Sequence, residues 1–197
     1  MTLAMVWATG FVMITGSALA QTEGKAPAKA PPAVAAPGAG GTAASGPDWP
    51  RWRGPDANGI SKDAKWNPAA LTGAKPAWKI NVGDGYSAVS VKGGRLFTMG
   101  NKGDQDIVWC LDARTGVEIW KQPYPCPKGS YSGPRSTPAA DDGFVYTFSR
   151  EGHIFCLKES DGSIVWQKNA MADFQAKNLG WGFSSSPSAC APPKAHA

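Results

Sequence analysis

Two histidines in 197 residues, His153 and His196, leave little with which to hold a metal through nitrogen, and a zinc site is not expected. The four cysteines, Cys110, Cys126, Cys156 and Cys190, include no C-x-x-C pair. In an oxidising compartment they allow three pairings. Cys110 and Cys156, which fall at matching places in two similar segments, read first as small core residues. Ser184-Ser185-Ser186 lacks a Gly-x-Ser-x-Gly setting and a His–carboxylate pair to activate it, so no nucleophile is assigned there. The 24 glycines sit in turns, not in a phosphate-cradling loop that opens a helix, and no amphipathic helix of useful length is found. Asp104-Gln105-Asp106 and Asp141-Asp142 lack the spacing and terminal Glu of a calcium-binding hand; they read as solvated turn residues that need no ligand. The net charge of +5 is spread along the chain, and no nucleic-acid partner is expected.

What is present centres on residues 109–120, W-C-L-D-A-R-T-G-V-E-I-W. An alternating apolar run (Ile107, Trp109, Leu111) meets Asp-Ala-Arg-Thr-Gly, and a second run ends on Trp120, which predicts a strand, a tight turn and a strand. Gly116 stands where the loop needs a positive φ, and the Asp112 carboxylate can accept backbone N–H bonds across the turn. The pattern recurs without a gap at residues 155–166, F-C-L-K-E-S-D-G-S-I-V-W, so that Leu111, Gly116 and Trp120 match Leu157, Gly162 and Trp166. Upstream, Ser87-Ala88-Val89 and Gly94-Arg95-Leu96-Phe97 match Ser136-Thr137-Pro138 and Gly143-Phe144-Val145-Tyr146, the extra residues of the first copy being assigned to a loop over 100–106. A unit of about four short strands is in the period range of propeller blades.

L-D-A-R-T-G-V-E-I-W resembles the tryptophan-docking repeat of pyrroloquinoline-quinone-type (PQQ-like) β-propellers, roughly A-x-D-x-x-T-G-x-x-x-W. Asp112, Thr115, Gly116 and Trp120 match it, with Cys110 where Ala is usual; the second copy keeps Gly162 and Trp166 but has Lys158 and Asp161 in place of Asp and Thr. The resemblance implies an all-β fold of four-stranded antiparallel blades, in which these residues hold blade to blade. W-P-R-W-R-G-P-x-x-x-G, from Trp49, also resembles the segment ahead of the first blade in many secreted bacterial PQQ-like proteins. Pro76-Ala77-Trp78-Lys79-Ile80 resembles the last strand of a blade, with Trp78 as a further docking residue that closes a ring.

Residues 1–20 carry an apolar core and end in Ala18-Leu19-Ala20, as a secretory signal peptide does, although its start has no Lys or Arg. Residues 21–47, almost all Ala, Pro, Gly, Thr and Lys, read as a disordered tether. No later segment approaches transmembrane length. The propeller part is expected over 48–197, with repeats at about 87–122 and 136–168 and a third begun at Ser184. After Pro187 the pattern breaks into Ala, Pro, Cys and Lys, two prolines being incompatible with a ladder strand, which is the expected mark of a truncation or frame change.

The reading these features support is a periplasmic or secreted PQQ-like propeller, incomplete at about two blades, with a non-catalytic scaffold or binding role and an unidentified envelope protein as partner. No catalytic residue, metal ligand or cofactor-binding residue is assigned; PQQ enters only if the whole propeller is a quinoprotein. A fragment of a PQQ-dependent dehydrogenase is the first alternative, although the adjacent Cys-Cys of the PQQ alcohol dehydrogenases is missing. A glycan- or peptide-binding module using Trp49, Trp52 and Trp181 is the second, set against the reading of Trp49 and Trp52 as caps of the core. Open blade edges also invite self-association.

Overall fold

A computed structural model describes residues 47–63, 67–178 and 180–188. The leader, nearly all of the tether, Cys190, His196 and the last prolines lie outside the described residues, among which no helix is long and apolar enough to cross a membrane. The chain forms two four-stranded sheets, each a meander in sequence order. The first holds β1 (Ser90–Lys92), β2 (Arg95–Asn101), β3 (Gln105–Asp112) and β4 (Glu118–Pro125). The second holds β5 (Ala139–Asp141), β6 (Phe144–Phe148), β7 (His153–Lys158) and β8 (Ile164–Asn169), and all neighbouring strands are antiparallel. These are the expected blades, and among the described residues they do not close a ring.

The β3–β4 turn forms as its residues require. Asp112 Oδ1 accepts from the Arg114 and Thr115 amides at 3.1 and 2.7 Å and from the Thr115 hydroxyl at 2.8 Å. Gly116 takes φ 71° and its amide donates to Asp112 O at 2.8 Å. With Lys158 in place of the Asp, the β7–β8 turn keeps the same backbone bond, Gly162 N to Lys158 O at 2.9 Å, and its polar cap moves to Asp161, which accepts from the Ser163 amide at 2.8 Å. Both blades also carry a register shift at the same place, between Cys110 and Leu111 and between Cys156 and Leu157.

Strand alternation sends one set of side chains to each face of a blade. In the first blade Phe97, Met99, Val108, Cys110, Trp120 and Tyr124 face the second and make the main core with Ala140, Val145, Phe155 and Leu157. The opposite face, Ile107, Trp109 and Leu111, is covered by Trp78, Ile80 and Val82. Residues 76–80, which include Trp78 and Ile80, were expected as a strand, but the segment is not one: no ladder partner flanks it among the described residues, and the stretch is held by isolated bonds, including Trp109 Nε1 to Val82 O at 3.0 Å. Its burial still alternates, as an extended chain on an apolar surface does.

The loop expected over 100–106 is also shorter than read, because β2 runs to Asn101 and β3 starts at Gln105. Ahead of the blades, Trp49 exchanges both backbone bonds with Val91 at 2.8 and 2.9 Å, and Pro50 O accepts from Ala140 N at 2.8 Å, so the opening segment stitches β1 to β5. The Trp49 ring packs on Gly54, where a Cβ would come within 2.8 Å of it. Trp52, expected as a second cap, is 55 % exposed. After β8 comes a helix that sequence periodicity missed for its shortness, α1 (Ala170–Phe174), capped by Asn169, whose side chain accepts from Met171 N and Ala172 N.

Candidate functional site

The described chemistry gathers at the two ends of the blade pair. At one end, the indole of Trp78 donates to Ala113 O at 3.3 Å and that of Trp120 donates to Glu159 O at 2.9 Å. Ala113 and Glu159 are matching positions of the two repeats, and the rings lie on matching glycines. A Cβ on Gly116 would come within 2.5 Å of the Trp78 ring, and one on Gly162 within 2.5 Å of the Trp120 ring. Each turn thus needs glycine twice, for its positive φ and for the flat ring laid on it. Arg95 adds a bond the sequence did not signal, its guanidinium donating to Glu159 O and to Ser160 O. Trp166 occupies the same place in the second blade. It packs beside Tyr146 at 6.3 Å, but with no turn laid on it among the described residues it is 44 % exposed, against 7 % for Trp120.

At the other end lies a polar knot that sequence reading placed wrongly. Asp106 was expected as a solvated turn residue, yet it is fully buried at the start of β3. It accepts from Asn101 Nδ2 at 2.8 Å and from the Tyr124 hydroxyl at 3.4 Å, while Asn101 Nδ2 also donates to Cys126 O at 3.0 Å. Tyr124 reaches across to the second blade, 4.6 Å from the Phe155 ring and 5.5 Å from the His153 ring, and His153 Nδ1 lies 3.1 Å from Ser149 Oγ. Asp104 is exposed, as expected, and supports the same corner by accepting from Lys128 N at 3.2 Å. Arg150, 49 residues beyond Asn101 and therefore at the matching place in the second repeat, is likewise buried. It bonds Lys128 O and Tyr131 O at 2.6 and 3.1 Å and pairs with Glu151 at 3.0 Å. The repeat register was the one signal that could have found it.

Burial dominates the electrostatics of this knot. Burial pushes the Asp106 carboxyl above its usual range, against the lowering effect of its bonds to Asn101, Cys126 and Tyr124. Burial likewise pushes the Cys110 and Cys126 thiols up to about 12, so both are protonated at neutral pH and poor nucleophiles. Cys110, Cys126 and Cys156 are free and buried, as core residues should be.

A pH test follows. With the folded carboxyl titrating above the unfolded one, its stabilising share is whole below the unfolded value of about 3.9 and is lost as pH rises through the folded value. Wild type should therefore lose stability relative to Asp106→Asn as melts are run from pH 3.5 upward. Parallel curves would show that burial does not govern this group.

The quinoprotein alternative would bring calcium and a quinone. Among the described residues no three of His, Cys, Asp or Glu stand together to hold a metal. The one fully buried carboxylate among them, Asp106, has both oxygens bonded within the knot, and the Trp78 and Trp120 rings are laid on turns instead of on an open platform.

Residues 64–168 match the profile of a protein family described as outer membrane protein assembly factor BamB. No curated protein matches the chain. Among solved structures it is similar to a quinohemoprotein alcohol dehydrogenase from Comamonas testosteroni, with 24 % identity and a TM-score of 0.54 over 66 % of this chain and 20 % of that one. It is also similar to a europium-containing methanol dehydrogenase, with 18 % identity and a TM-score of 0.51 over 62 % and 23 %. BamB from Moraxella catarrhalis matches at 25 % identity with a TM-score of 0.38, over 47 % and 26 %. The chain thus spans only about a fifth to a quarter of the length of these proteins.

Proposed function

Since the chain belongs to the family of the outer membrane protein assembly factor BamB and carries its PQQ-like propeller repeats, we propose that it serves as a non-catalytic scaffold in the bacterial envelope. The observation that carries this reading is how the aromatic and polar groups are used: Trp78 and Trp120 are spent on blade docking, and Asp106 and Arg150 on closing the blade corners. Asp112, Thr115, Gly116 and Gly162 build the docking turns, and Trp166 is the next docking residue in line. The two dehydrogenase structures are likenesses of fold, at identities too low to carry an activity to this chain. Export rests on the leader, with cleavage before Gln21.

Two measurements test the proposal. Reconstitution with PQQ and Ca²⁺ followed by a dye-linked assay on alcohols and sugars should give no turnover; a rate above the no-protein control would overturn the scaffold reading in favour of a dehydrogenase. If the scaffold serves outer-membrane protein assembly, as the family's description suggests, deleting the gene should lower the yield of assembled outer-membrane proteins, and unchanged yields in the deleted strain would overturn that role.

A further inference from the structure

The two docking turns are fixed by different parts of the chain. The β3–β4 turn is shaped from within: Asp112 Oδ1 accepts from the Arg114 and Thr115 amides and the Thr115 hydroxyl, and Thr115 Oγ1 accepts from Val117 N at 3.4 Å. The β7–β8 turn has Lys158 and Asp161 at those two places. Among the described residues its only internal side-chain bond runs from Ser163 N to Asp161 Oδ1 at 2.8 Å.

What that turn lacks comes from the first blade. The Arg95 guanidinium crosses the blade junction and donates to Glu159 O and, at 3.3 Å, to Ser160 O, two successive carbonyls of the turn. Arg95 pairs with Asp112 across β2 and β3, yet its guanidinium is directed at the neighbouring blade. The matching residue of the second blade, 49 positions on, is Phe144, which has no side-chain donor. The brace therefore belongs to this one junction. It acts where Trp120 is seated, since the indole donates to the same Glu159 O at 2.9 Å and the ring lies on Gly162.

We propose that Arg95 replaces the missing Asp–Thr cap from outside the turn, so that the first blade orders the very turn on which its Trp120 docks. One planar guanidinium bonded to two carbonyls fixes two peptide planes at once, as the cap of the β3–β4 turn does through the amides. Docking of the blades and ordering of the β7–β8 turn are then a single cooperative step. The β3–β4 turn, which caps itself, keeps its shape whatever lies on it.

Amide hydrogen exchange of the full chain, resolved by NMR, reads the two turns separately. Their backbone bonds correspond, Gly162 N to Lys158 O and Lys158 N to Ser163 O in one, Gly116 N to Asp112 O and Asp112 N to Val117 O in the other. Arg95→Ala should quicken exchange at Gly162 and Lys158 about tenfold, the usual weight of bonds to a charged donor, and leave Gly116 and Asp112 as they were. Adding Lys158→Asp and Asp161→Thr, which writes the first blade's cap into the second, should return Gly162 to its wild-type rate although Arg95 is gone. Should Arg95→Ala alone fail to fold, recovery of the folded state in this triple variant is the expected result. Equal quickening in both turns, no quickening at Gly162, or a triple variant that stays fast or does not fold would overturn the proposal.

Discussion

Trp120→Ala is expected to destabilise the chain by roughly 3–5 kcal/mol, the usual cost of truncating a buried Trp. The ring is 7 % exposed, stands 6.0 Å from Phe97, lies on Gly162, and gives its N–H to Glu159 O at 2.9 Å. Removing it opens a cavity between the blades and leaves that carbonyl without its donor. A fall in melting temperature of roughly 10–20 °C is the expected readout. Trp166→Ala provides the internal control: the same residue at the matching position, 44 % exposed, should cost about 1 kcal/mol or less. Equal losses in the two variants would mean that blade contact is not what Trp120 supplies.

Arg150→Ala should be the second most damaging change, at about 3 kcal/mol, the lower end for breaking a buried pair because Glu151 keeps some access to water. The Arg150 side chain is 5 % exposed and that of Glu151 28 %. Its bonds to Lys128 O and Tyr131 O tie the connection between the blades to the corner of the second, and Phe183 N bonds back to Arg150 O at 3.0 Å. Urea unfolding should show the loss, and hydrogen exchange should quicken at Phe183 and Gly182. Arg150→Lys, which keeps the charge but not the fork, should recover only part of it. Full recovery with Lys would show that charge alone matters there.

The blades were legible from local pattern. Period-2 alternation, the turn glycines Gly116 and Gly162, and the Asp112 cap act within a few residues of one another, and the repeat supplied a second reading of the same signals. The matching burial of Cys110 and Cys156 followed from that register. The polar corner was not legible, because nothing local distinguishes the exposed Asp104 from the buried Asp106: the difference is made by Tyr124, Cys126 and the second blade closing over one of them. For the same reason the strand expected around Trp78 is absent although its alternating burial is kept, since alternation sets which side chains face the core but a ladder needs a neighbour.

Among the tryptophans, sequence alone determined which residues repeat, at Trp120 and Trp166, and that both belong to the outer strand of a blade, although each stands third in that strand and not at its end as expected. Only the tertiary structure decided that one is buried and the other open, that Trp52 is exposed while Trp49 is pinned on Gly54, and that Trp181 joins Tyr131. The physical reason is that strand propensity and turn chemistry are properties of a few consecutive residues, whereas burial is a property of whatever other part of the chain comes to lie on top of them.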